Sequence, residues 1–131
     1  MQKPKPTGGM HHVALYVQNF TACAHFYTEL LGMKVMWQPD DDNLYLTSGN
    51  DNLALHRAPK DFTPATHQHL DHIGFFLTAR EDVDHWHDYL RANQVDIKAA
   101  PKDHRDGTRS FYCGDPDDNT IQFIYYPFEK K

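Results

Sequence analysis

Hydrophobic and polar positions fall into two passages that resemble each other. The first opens with "MHHVALYV", residues 10–17. Its alternation, rich in β-branched and aromatic residues, predicts a strand. "NFTACAHFYTELLG" follows, with Cys23, Phe26, Tyr27, Leu30 and Leu31 at helical spacing. Asn19 is placed to cap that helix, and Gly32 to end it in the left-handed conformation. "MKVMWQ", "LYLTS" and "NLALHR" read as three strands separated by the turns "PDDDN" and "GND". The order is β-α-β-β-β. "APKDFTPATHQH" then lacks periodicity and reads as a linker.

The second passage repeats the order. "LDHIGFFL", residues 70–77, predicts a strand. "REDVDHWHDYLRANQ" predicts a helix with Val83, Trp86 and Leu90 on one face, and with Glu81 and Asp82 suited to its first turn. "VDIKAA", "RSFYCG" and "TIQFIYY" predict three strands, joined by the loop "PKDHRDGT" and the turn "DPDDN". The repeat holds residue by residue. His12 falls on His72, Tyr16 on Phe76, Phe26 on Trp86, Leu30 on Leu90, Leu53 on Ile121 and Ala54 on Gln122. Each copy is too small to bury its own sheet face. The expected fold is therefore α+β. Two tandem βαβββ modules form a cupped mixed sheet with helices outside, as a single domain. Module one spans about 10–59 and module two about 69–128, and residues 1–9 are a flexible leader.

Composition narrows the function. The chain has 131 residues, 40% hydrophobic and 24% charged, as in ordinary globular proteins. Its formal charge of −5 and lack of a basic stripe argue against nucleic acid. No apolar run approaches the ~18 residues that span a bilayer. The first residues carry no apolar stretch of the secretory type. Two cysteines, Cys23 and Cys113, are too few for a disulfide framework and read as packing residues of a cytoplasmic protein.

Ten histidines stand out. Residues i and i+2 of a strand share a face. His12, Ala14 and Tyr16 then share one face, His72, Gly74 and Phe76 another, and Gln122 lies on the equivalent face of the last strand. Pseudo-symmetry sets His12 and His72 in equivalent places. Two imidazoles and an amide oxygen converging in a cup can ligate a divalent metal. His11 is expected on the opposite face from His12. His67 and His69 fall in the linker. His85 and His87, two apart on a helix, do not share a face. Arg109 reads as a solvated loop charge, or as a contact for an anionic substrate. Trp37, Tyr45, Phe75, Tyr125 and Tyr126 are candidates for an apolar pocket or for core.

"HHVALYV…FYTELLGMKV", "LDHIGFFL" and "FYCGDPDDNTIQFIYYP" resemble the vicinal oxygen chelate superfamily. That superfamily includes glyoxalase I, fosfomycin- and bleomycin-resistance proteins and extradiol dioxygenases. The resemblance places metal ligands on the first, fourth, fifth and eighth strands, which here are His12, Ala54, His72 and Gln122. Ala54 stands where glyoxalases carry glutamate. The remaining trio is similar to the His-His-Glu pattern of resistance proteins and extradiol enzymes, with a neutral glutamine in place of the acid. Tyr112 stands ten residues before Gln122, as a tyrosine does in dioxygenases. His56, on the face of Ala54, is the candidate acid, base or further ligand.

The resemblance implies a metal-dependent enzyme acting on a small molecule with vicinal oxygens. Its metal ligands are His12, His72 and Gln122, its catalytic candidates are His56 and Tyr112, and its metal is iron, manganese, zinc, nickel or cobalt. The alternative is a metal-free binding protein of the bleomycin-resistance type. A homodimer is implied by the resemblance alone, with no nucleic-acid or membrane partner.

Overall fold

The computed structural model describes residues 2–127. The expected last residue of module two, Phe128, lies outside them. Two compact units divide the chain, Met1–Pro59 and Lys60–Lys131.

The first unit holds β1 (Val13–Val17), α1 (Phe20–His25), β2 (Lys34–Asp40), β3 (Asn43–Thr47) and β4 (Leu53–Arg57). Its strands are ordered β1-β4-β3-β2. β1 pairs parallel with β4, and the other pairs are antiparallel. The second unit holds β5 (Ile73–Leu77), α2 (Asp82–Ala92), β6 (Asp96–Asp103), β7 (Arg109–Gly114) and β8 (Thr120–Tyr125). Its order, β5-β8-β7-β6, is the same, again with a parallel pair of first and last strands. The α+β class and both βαβββ modules are thus present, as two four-stranded mixed sheets. Registers match as well. Val13 lies opposite Leu53 and Ile73 opposite Ile121, so Ala14–Ala54 in one sheet corresponds to Gly74–Gln122 in the other.

α1 departs from the expected regular helix. Its chain continues through a wider turn at Phe26–Leu30, closed by the Leu31 N–H on the Phe26 carbonyl at 3.0 Å. That bond spans five residues and adds about one residue to the turn. The buried face shifts accordingly. Cys23, Phe26 and Tyr27 are buried as expected, whereas Leu30 and Leu31 are half-buried and Met33 takes their place in the core. Gly32 has φ +80°, the left-handed stop that its identity predicts. Asn19 occupies the N-cap position, but through its carbonyl, which accepts from Cys23 N–H at 2.9 Å.

Four aromatic rings hold the second unit together. Phe123 of β8 stacks on Phe111 at 5.1 Å, on Trp86 of α2 at 5.4 Å and on Phe75 at 5.8 Å. Val83 and Leu90 are fully buried on the same helix. Such ring pairs add specificity of geometry to the area they bury.

Both cysteines are buried and stand outside any disulfide, as the sequence predicts. Burial pushes the Cys113 thiol up to about 12 from its ordinary 9.0, with Asp115 adding to the shift. A raised thiol pKa favours the protonated native state. Its contribution to stability is complete below pH 9.0 and is lost as pH rises toward about 12. The expected outcome is that a disulfide reagent at pH 8 labels neither cysteine until denaturant unfolds the chain. Rapid labelling of one thiol in the native protein would contradict this packing.

Candidate functional site

The second unit brings three of the expected residues together. The "DPDDN" turn explains how. Asp115 is buried, and its Oδ1 accepts from the backbone N–H groups of Asp117 and Asn119, both at 2.9 Å. Its Oδ2 accepts from Asn119 Nδ2 at 2.9 Å. Asp118 adopts φ +64°. Such a carboxylate-closed turn launches the following strand in a fixed register. β8 then sets Gln122 opposite Tyr112 on one side and Gly74 on the other.

Gln122 is buried, and its Nε2 donates to Tyr112 Oη at 3.0 Å. With Nε2 committed to Tyr112, Oε1 remains as an acceptor. A Cβ at residue 74 would touch Oε1 at 3.5 Å, so glycine keeps that flank of the oxygen open. His72 lies one residue before β5, and its ring meets Tyr112 edge-on at 5.3 Å. His72 Nδ1 and Asp71 Oδ2 are 2.7 Å apart. The imidazole N–H donates to the carboxylate there, which leaves Nε2 with its lone pair outward.

In the first unit, His12 also precedes its strand by one residue. Alternation does not govern residues 11 and 12, and the expectation that His11 points away from His12 is corrected. Their rings meet edge-on at 5.1 Å, with the two Nδ1 atoms 2.9 Å apart. In that contact one Nδ1 donates to the other. His56 of β4 is half-buried, its Nδ1 2.6 Å from Asn43 Oδ1.

The donor chemistry suits a divalent cation. A neutral imidazole such as His72, with Nδ1 on Asp71, and an amide oxygen such as Gln122 Oε1 are both metal-ligand types. No trio of His, Cys, Asp or Glu side chains gathers among the described residues.

Arg109 is neither solvated nor a ready anion contact, contrary to both sequence readings. Its Nε and Nη2 grip Asp84 of α2 at 3.1 and 2.8 Å, and its Nη1 reaches Asp103 of β6 at 3.1 Å. Arg80 also binds Asp103. The Arg109 fork holds the Asp84 carboxyl below its ordinary 3.8, and Asp84 in turn raises Arg109. This network ties α2 to both ends of the β6–β7 loop.

That loop frames a cleft of about 530 Å³, lined in part by Lys102, His104, Arg105, Tyr112, Gln122 and Tyr126. The sequence marks Tyr112, Gln122, Tyr126 and the loop itself, but not the loop side chains Lys102, His104 and Arg105. Thr108 donates its N–H and hydroxyl to Asp106, which lowers the Asp106 pKa. His104 Nε2 and Ser110 Oγ lie 2.8 Å apart. The density of alternating charge in "KDHRD" before Gly107 was the available signal. Of the other histidines, His67 and His69 are exposed, and His87 packs edge-on against Phe111 at 5.5 Å.

A family model described as the Glyoxalase/Bleomycin resistance protein/Dioxygenase superfamily matches residues 9–123. The metallothiol transferase FosB of Staphylococcus epidermidis is 28% identical over 114 residues, 86% of this chain and 78% of its own length. The FosB of Staphylococcus haemolyticus is 25% identical over 115 residues, 87% of this chain and 81% of its own. Among solved structures, lactoylglutathione lyase from Agrobacterium tumefaciens has a TM-score of 0.74 at 19% identity, covering 92% of this chain and 96% of its own. A glyoxalase-related enzyme from Fulvimarina pelagi reaches 0.78 at 15% identity, over 92% and 90%. At these identities the solved structures carry the fold.

The Asp84–Arg109 fork makes a pH-dependent prediction. A depressed carboxyl pKa contributes stability above its ordinary 3.8 and loses it as pH falls through the folded value. Asp84→Asn is expected to cost up to about 1 kcal/mol at pH 7 in urea unfolding. The gap from the unsubstituted protein closes as pH falls below 3.8. A gap independent of pH would contradict the assignment.

Proposed function

Because the chain belongs to the Glyoxalase/Bleomycin resistance protein/Dioxygenase superfamily, we propose that it is a metal-dependent enzyme acting on a small molecule with vicinal oxygens. His12, His72 and Gln122 are the metal ligands of this reading. One observation carries it: Gln122 Nε2 donates to the Tyr112 hydroxyl at 3.0 Å while the Tyr112 ring meets His72 edge-on at 5.3 Å, so amide and imidazole share one neighbour. When bound, a divalent metal supplies Lewis-acid stabilisation of charge developing on a chelated oxygen.

The chain's own groups divide the remaining work. Asp71 holds the His72 tautomer through Nδ1. Tyr112 accepts from the Gln122 amide, so its own hydroxyl proton is available to a substrate oxygen. His56, with Nδ1 on Asn43, offers Nε2 as acid or base. The cleft beside Tyr112 and Gln122 is the substrate's place, and Lys102, Arg105, Asp103 and Asp106 give its rim charges of both signs. The metallothiol transferase relatives favour a metal-assisted transfer over ring cleavage. No helix of the described residues is long and apolar enough to cross a membrane. The proposal includes a cytoplasmic homodimer.

A second reading is a metal-free binding protein. Ala54 favours it, since this buried methyl group supplies no fourth ligand.

Mass spectrometry of protein purified without chelators or a histidine tag separates the two. The expected result is about one divalent metal per chain, lost in His72→Ala while circular dichroism stays unchanged. Metal content unaltered by His72→Ala, or protein that takes up none on titration, would overturn the metal reading.

A further inference from the structure

The outer strand of the first sheet is exposed along its whole length. β2 is hydrogen-bonded to β3 alone in that sheet, and every residue from Lys34 to Asp40 is exposed. Three in succession are large and apolar: Val35 is 54% exposed, Met36 56% and Trp37 61%. An outer strand is normally blunted by charged or short side chains. The repeat supplies a comparison within the same chain. β6 is the equivalent strand, with register shifts at the same places and Pro101 where β2 has Pro39. Where β2 carries Met36 and Trp37, β6 carries Lys98 and Ala99. One module guards its outer strand, and the other presents apolar bulk there.

The register orders this surface further. Lys34, Trp37 and Asp40 lie opposite Thr47, Tyr45 and Asn43, alternate residues of β3. The two register shifts of β2 therefore set all three on one face of the sheet. The row has a cation at one end, an anion at the other and an indole midway. Trp37 is held by stacking on Tyr45 at 5.2 Å. Asp40 accepts from neutral groups, the Asp42 N–H at 2.8 Å and Asn43 Nδ2 at 2.9 Å, and keeps its charge.

That row is complementary to itself. A second copy laid antiparallel, with a two-fold axis at Trp37, brings Lys34 of each copy to Asp40 of the other. Opposite residues of an antiparallel pair share a face, so the two indoles meet between two ion pairs. Pro39 and the register shifts interrupt a continuous backbone ladder, and the contact is made by side chains. β6 also has ends of opposite charge, Asp96 and Lys102, but around the methyl group of Ala99. Setting β2 against β6 of another copy would be a heterologous contact, which repeats from copy to copy, whereas β2 against β2 closes as a pair.

We propose that β2 is a self-association surface, on which two copies of the chain meet antiparallel through Trp37 and two Lys34–Asp40 ion pairs. The inference rests on the homodimer included in the proposed function and names its contact. One strand presents less than the ~800 Å² per partner of a standard interface, so a dissociation constant in the micromolar range is expected.

Sedimentation equilibrium of the full chain tests this, over about 1–300 μM to bracket such a constant. A monomer–dimer equilibrium is expected. Lys34→Asp and Asp40→Lys each turn both ion pairs into like-charge pairs, and each alone should weaken the dimer at least about tenfold. An equimolar mixture of the two variants should dimerise again, because unlike charges then meet at both ends. Trp37→Ser should weaken the dimer about tenfold with circular dichroism unchanged. Lys34→Asp and Trp37→Ser leave the Asp40 turn in place, so they decide the matter if Asp40→Lys does not fold. A dimer indifferent to these two variants, or folded variants that fail to rescue each other, would overturn this surface while leaving a homodimer joined elsewhere. A chain that stays monomeric throughout would overturn the surface and the homodimer together.

Discussion

Everything of functional interest here depends on one constraint, the parallel pairing of the first and last strands of each module. β1 runs beside β4 and β5 beside β8, although some 40 to 50 residues separate the partners in sequence. A parallel pair cannot be closed by a hairpin, so the helix and two antiparallel strands must be laid down in between. This pairing sets Gly74 beside Gln122 and Ala14 beside Ala54. A slip of one residue would turn Gln122 into the helix-facing core and carry Phe123 out of its stack with Trp86, Phe111 and Phe75. The same register therefore secures the core and orients the candidate ligand.

Much of this was legible in the sequence. Strand periodicity gave the two βαβββ modules, and the repeat predicted the correspondence of Ala54 with Gln122 that the registers display. Buried Cys23 and Cys113 and the left-handed Gly32 followed from spacing and residue type. The rest depends on geometry that periodicity does not carry. The wider turn at Phe26–Leu30 hides in an apolar pattern that a regular helix would also produce. His11 was misjudged because alternation was extended past the first paired residue of β1. Arg109 looked like a free charge because its partners, Asp84 and Asp103, come from other elements. Trp37 and Tyr45 were placed among pocket or core candidates, and only the register shows them stacked on an exposed face.

The two modules have diverged within one scaffold. At the equivalent position, one has a methyl group amid rings and the other an amide held by a tyrosine. The second module invests in polar order: Asp115 closes the turn before β8, and the Arg80–Asp103–Arg109–Asp84 network braces the loop over the cleft. Its candidate donors are thus held by neighbours before any ligand arrives, which lowers the entropy lost on binding. The first module instead presents ring faces.

His12, His72 and Gln122 are proposed to act together as ligands of one metal ion. The most direct measurement is an anomalous-difference map from a crystal of the full chain grown with zinc. The expected result is one peak bonded to Nε2 of both histidines and Oε1 of Gln122, each at about 2.0–2.2 Å. A peak held by other side chains, or by the histidines with Gln122 still turned to Tyr112 alone, would contradict it.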